Sequence, residues 1–113
     1  MFYGLHFEKS VEKLRKKTTM KIALFGQYYQ NSTAEIVQKV VTFLESNAIT
    51  IAFEASFLAS LKEKNIILKE YETYSNYNNL DADFKALISI GGDGTILKAA
   101  TFVRDKNIPI IGI

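Results

Sequence analysis

The run Ser89-Ile90-Gly91-Gly92-Asp93-Gly94-Thr95 follows a short apolar stretch, Ala86-Leu87-Ile88, and precedes a helical pattern that begins at Ile96. Three glycines and a carboxylate therefore stand where a buried strand turns into a helix. Glycine permits positive φ and lets backbone N–H groups approach a ligand closely. Successive N–H groups in such a turn form an anion-binding nest, and the helix N-terminus behind them adds partial positive charge. An acidic residue that merely lined the nest would repel phosphate, so Asp93 suits the other reactants: a metal ion, or a hydroxyl that must lose its proton. The spacing fits neither a Walker A loop nor a dinucleotide G-x-G-x-x-G loop. Two adjacent glycines alone would favour a plain strand–helix turn with an Asp cap. The longer run in this setting favours ligand binding.

The rest of the chain extends the strand–helix alternation. Residues 21–25 read as a first strand, apolar and closed by Gly26. A polar, aromatic loop, Gly26-Gln27-Tyr28-Tyr29-Gln30-Asn31, leads to Ser32-Thr33-Ala34-Glu35, which has the form of a capping box. The helix it predicts runs to about Ser46, with Ile36, Val37, Val40, Val41 and Leu44 forming one buried stripe. Residues 49–53 read as a second strand, and 54–64 as a shorter helix with Phe57, Leu58 and Leu61 inward. Between 65 and 79 the pattern weakens: Tyr71, Tyr74 and Tyr77 stand among Asn, Ser and Glu. Such a ladder could stack on a nucleotide, but a loop that packs its own rings over the core is the expectation. Leu80-Asp81-Ala82-Asp83 reads as a solvated turn, 86–90 as a third strand, 95–105 as a helix and 108–113 as a fourth strand. Strands separated by helices imply an α/β fold, a Rossmann-like parallel sheet with flanking helices. Ligands in such sheets sit beyond the carboxyl ends of the strands. Gly26 and residues 91–95 both lie at such ends and are expected to face one crevice.

At 113 residues the chain has room for one domain. The absence of cysteine rules out disulfides and thiolate chemistry, and fits a cytoplasmic location. The apolar runs are too short to span a membrane. Glu8, Lys9, Glu12 and Lys13 interrupt any signal-peptide core. Residues 1–20 hold five Lys/Arg against two Glu, and residues 21–113 hold nine against ten acidic groups. The net charge of +2 therefore resides in the leader, and the folded part carries no nucleic-acid footprint. Residues 1–19 read as a leader, with 8–19 as a short charged helix that puts Val11 and Leu14 on one side, or as an extension from an upstream start codon. Residues 20–113 form the domain, whose first strand follows directly on Met20.

The glycine-rich run resembles the GGDG[TS] element of a kinase superfamily that includes NAD kinases, diacylglycerol-type lipid kinases and phosphofructokinases. A longer stretch is more specific. Gly91-Gly92-Asp93-Gly94-Thr95-Ile96-Leu97-Lys98-Ala99-Ala100, followed by Ile108-Pro109-Ile110-Ile111-Gly112-Ile113, resembles bacterial NAD kinases, as does the opening strand Met20-Lys21-Ile22-Ala23-Leu24-Phe25-Gly26. The resemblance covers residues 20–113. It implies an enzyme that uses ATP and a divalent metal such as Mg²⁺ to phosphorylate the 2′-hydroxyl of the adenosine ribose of NAD, giving NADP. It places Gly91, Gly92, Gly94 and Thr95 in the loop that approaches nucleotide and phosphates, with Gly26 beside them, and Asp93 as the base on the ribose hydroxyl. An ordinary Asp, with a pKa of about 3.9, is a weak base toward an alcohol. A loose phosphoryl-transfer transition state asks for little early proton removal. Asp93 would mainly orient the hydroxyl and accept its proton late.

In that family an Asn-Glu pair, further NAD contacts and a C-terminal β-rich domain lie downstream. The chain is therefore expected to be a fragment, incomplete at its C-terminus and inactive alone, from a protein that is a homo-oligomer at full length. Two other readings compete. One is the N-domain of a diacylglycerol-type lipid kinase, although such kinases typically carry a Pro-x-Gly-Thr stretch where this chain has Ile110-Ile111-Gly112-Ile113. The other is a nucleotide-binding module without catalysis.

Overall fold

The computed structural model describes residues 20–27, 31–81 and 83–113. The expectations for the leader, 1–19, and for most of the loop 28–30 lie outside them. The elements run β1 (Lys21–Gly26), α1 (Asn31–Ser46), β2 (Thr50–Glu54), α2 (Ala55–Glu63), β3 (Glu72–Tyr74), a 3-10 turn (Tyr77–Asn79), β4 (Phe84–Ile90), α3 (Asp93–Val103) and β5 (Ile110–Gly112). The five strands form one sheet in the order β3-β2-β1-β4-β5, and every described pairing is parallel.

Successive side chains of a strand point to opposite faces, and the core divides accordingly. Ile22 and Leu24 of β1, Ile51 and Phe53 of β2 and Ile88 and Ile90 of β4 pack with Val37, Val41 and Leu44 of α1 and Phe57, Leu58 and Leu61 of α2. Ala23, Phe25 and Leu87 face the other way, toward Ala99, Phe102 and Val103 of α3. Right-handed crossovers explain the division. The chain steps outward from β1 to β3 and lays α1 and α2 on one face, then steps the opposite way from β4 to β5 and lays α3 on the other.

Three expectations need correction. The sheet has five strands rather than four, because Glu72–Tyr74 pairs with the end of β2. That edge strand has three residues, two of them exposed, so it carries too little apolar alternation to stand out. The first helix begins at Asn31, which puts Ser32 inside its first turn, not at the cap. The helix after the glycines begins at Asp93, two residues ahead of Thr95.

Two of the tyrosines pack their rings over the core, Tyr74 from strand β3 rather than from a loop. Tyr74 is buried and its hydroxyl donates to the carbonyl oxygen of Leu24 at 3.0 Å, reaching across β2 to β1. Ala23 and Ala52 leave room for the ring, which meets Phe102 edge-on at 5.6 Å. The Tyr71 ring lies 5.1 Å from that of Phe53, and its hydroxyl donates to Glu45. Tyr77 stacks beneath Lys106 and Arg104, and Lys106 also donates to the carbonyls of Tyr77 and Leu80. Asp81 and Asp83 are exposed, as a solvated turn requires.

Candidate active site

The strand order supplies what the sequence patterns could not. β1 lies between β2 and β4, and the chain leaves β1 toward one side of the sheet and β4 toward the other. Connections that diverge in this way open a crevice at the carboxyl ends of the two strands. Gly26 ends β1 and pairs with Ile90, which ends β4. The N–H of Gln27 donates to the Ile90 carbonyl at 3.3 Å. The end of β1 and the glycine-rich turn are therefore neighbours.

The glycines divide into two kinds. Gly91 has φ of +149°, and a Cβ there would strike the Thr95 hydroxyl and lie 3.0 Å from the Thr95 Cβ. At Gly26 a Cβ would come within 2.7 Å of both the Ile90 carbonyl oxygen and the Phe57 ring. The fold itself demands glycine at these two positions. Gly92 and Gly94 differ, since a Cβ at either would meet nothing within 4 Å. Gly92 has an ordinary extended backbone, with φ of −100° and ψ of −166°, and Gly94 sits in the first turn of α3. A helical glycine costs about 1 kcal/mol relative to alanine, and neither strain nor crowding accounts for it here.

Between these two unforced glycines stands Asp93, the first residue of α3. It is exposed and makes no side-chain hydrogen bond or ion pair among the described residues. The cap position is Gly92, which offers no side-chain bond, so Asp93 does not hold the turn as a cap. A carboxylate in the first turn of a helix is favoured by the helix dipole.

Thr95 is turned inward. It is fully buried, and its hydroxyl donates to the Gln27 side-chain oxygen at 3.0 Å. Its side chain thus fastens the start of α3 to the loop after β1. Gln27, which the sequence reading passed over, belongs to the site's framework for this reason. Ser89, two residues before Gly91 and on the α3 face, is buried, and its hydroxyl has no partner among the described residues.

A cleft of about 410 Å³ opens beside the turn, lined by Ser32, Thr33, Ile36, Ile90, Gly91, Gly92 and Ile113. Its apolar walls and polar rim match the composition of small-molecule sites. Glu54 shows what the site does not do. At the end of the second strand of a dinucleotide-binding sheet, an acidic residue commonly holds the ribose. Here Glu54 is buried and caps α2, accepting from the Ser56 N–H at 3.1 Å, the Phe57 N–H at 2.9 Å and the Ser56 hydroxyl. Its oxygens are spent on the helix.

The family model described as the ATP-NAD kinase N-terminal domain matches residues 22–113. The chain belongs to the NAD kinase family. It is 50% identical over 94 residues to an NAD kinase of Flavobacterium johnsoniae, covering 83% of this chain and 32% of that protein. An NAD kinase of Bacteroides fragilis is 39% identical over 94 residues, with the same coverage. An archaeal NAD kinase, from Methanothermobacter thermautotrophicus, is 33% identical over 94 residues, covering 83% of this chain and 30% of the relative. The chain thus spans about a third of the length of these NAD kinases.

Proposed function

We propose that this chain carries the catalytic turn of an ATP-dependent NAD kinase, a cytoplasmic enzyme that phosphorylates the 2′-hydroxyl of the adenosine ribose of NAD to give NADP. The observation that carries the reading is Asp93, exposed and unbonded among the described residues, between two glycines the fold does not require. Bare N–H groups at Gly92 and Gly94 let a polar ligand come against the backbone.

In the reaction, the ribose oxygen forms a bond to the γ-phosphorus of ATP while the bond from that phosphorus to the β-bridging oxygen breaks, and ADP leaves. Asp93 accepts a hydrogen bond from the ribose hydroxyl, holds it in line, and takes its proton late. Gly91 and Thr95 shape the turn, and Gly26 lets β1 and α2 close beneath it. The described residues contain no cluster of three or more His, Cys, Asp or Glu side chains. A single carboxylate fits Mg²⁺, which is usually held by one or two carboxylates together with substrate phosphates. Asp93 is the side chain that would share such an ion, and the ion would neutralise charge on the phosphoryl group.

The test is a graft. Residues 22–113 replace the matching third of the Flavobacterium johnsoniae NAD kinase, and NADP formation from NAD and ATP is followed. A graft that folds and binds NAD yet makes no NADP would refute the reading.

A further inference from the structure

We propose that a second cleft, walled by Gln27, Ser60 and Lys98, holds the oligophosphate tail of the phosphoryl donor, with Lys98 as its cation; this rests on the kinase reading above. The cleft has a volume of about 230 Å³ and is also lined by Phe25, Gly26, Ser56 and Phe57. It shares no lining residue with the larger cleft at Gly91 and Gly92. The two are joined through Thr95. Gln27, in the wall of the smaller cleft, accepts the Thr95 hydrogen bond, and Gly91, in the wall of the larger, packs on Thr95. A kinase must hold two ligands side by side across the transferring group, and two clefts flank this turn.

Size and chemistry assign the occupants. About 410 Å³ with isoleucine walls lies within the usual range for an organic ligand, and about 230 Å³ lies below it. The smaller space suits a phosphate tail better than a nucleoside. Lys98 is the single charged residue among its described lining residues, and its side chain makes no ion pair or hydrogen bond among the described residues. The Ser60 hydroxyl and the Gln27 amide add neutral polar groups. The nearby Glu54 carboxylate is occupied by the cap of α2. Lys98 lies one helical turn after Gly94, and helical side chains lean toward the helix N-terminus. Gly94 places no side chain between Lys98 and the turn that carries Asp93.

The grafted enzyme described above, labelled with ¹⁵N, is titrated separately with inorganic triphosphate, ATP and NAD while backbone amides are followed. Triphosphate and ATP are expected to shift Gln27, Ser60 and Lys98. Lys98→Gln should weaken both roughly tenfold, the worth of one charge-assisted contact, while Lys98→Arg retains them. NAD should shift Gly92 and Gly94 equally in all three proteins. If triphosphate and ATP shift only the turn, or bind Lys98→Gln undiminished, the subsite is refuted while NAD at Gly92 and Gly94 leaves the kinase reading standing. If NAD fails to reach the turn, the kinase reading falls, and the subsite falls with it.

Discussion

Gly94→Ala separates what the fold needs from what the ligand needs. A Cβ at position 94 meets nothing within 4 Å, and the residue is helical. Alanine is favoured over glycine by about 1 kcal/mol in a helix interior, and by about 0.4–1 kcal/mol through the unfolded chain where the native backbone suits it. These are two views of one effect, so they are not added. In the first turn of α3 the lower end applies, a gain of about 0.5 kcal/mol. For a chain of this size that raises Tm by about 2–4 °C. Gly91→Ala is the contrast. Its φ of +149° and the collision with Thr95 combine backbone strain of about 1–3 kcal/mol with overpacking of similar size. A loss of about 2–6 kcal/mol is a large part of a typical domain stability of about 5–15 kcal/mol. Thermal and urea melts of the chain give the stabilities, and titration of the grafted enzyme with NAD gives binding. Gly94→Ala should melt higher yet bind NAD at least tenfold more weakly. If it binds NAD as tightly as the parent, or loses more than about 1 kcal/mol, the argument that this glycine serves the ligand is wrong.

Asp93→Asn in the grafted enzyme should lower kcat by roughly 10²–10⁴-fold, the range for a positioned acid–base group, with KM for NAD and the melting curve nearly unchanged; unfolding with kcat retained would make Asp93 structural. Ser89→Ala removes a buried hydroxyl without a partner among the described residues and should be neutral or stabilise by up to about 1 kcal/mol, read by urea unfolding. Burial raises the ionisation of Tyr74, and burial together with the hydrogen bond to Glu45 raises that of Tyr71, above the ordinary value of 10.0. The unfolded chain then releases these protons first as pH rises, so stability should be level up to about pH 10 and fall above it. Melts from pH 8 to 11 check this, and Tyr74→Phe should lessen the alkaline loss.

The helices were legible because their apolar stripes repeat at helical spacing, and Phe57, Leu58 and Leu61 are buried as that spacing required. β1 and β4 were legible as apolar runs ending in glycine. β3 was not, because Glu72 and Thr73 are exposed and only Tyr74 faces the core. Strand order depends on pairings such as Gly26 with Ile90, and no local pattern carries them. The turn was found by composition, but its glycines look alike as letters. Only the backbone angle and the surrounding atoms separate Gly91, which the fold requires, from Gly92 and Gly94. The same holds for Thr95, whose hydroxyl turns out to be bound to Gln27 inside the protein.

The central position of β1 has a consequence for synthesis. Lys21 pairs with Thr50 on one side and with Phe84 on the other. At translation rates of about 5–20 residues per second, β4 leaves the ribosome roughly 3–12 s after β1. Throughout that interval one flank of Ile22, Ala23, Leu24 and Phe25, among the most apolar residues of the chain, has no native neighbour. The innermost strand of the finished sheet is thus, for some seconds, an open edge, the condition under which strands recruit foreign partners. A nascent chain halted between β3 and β4 should therefore be far more prone to aggregate, and more dependent on chaperones, than one released after β4.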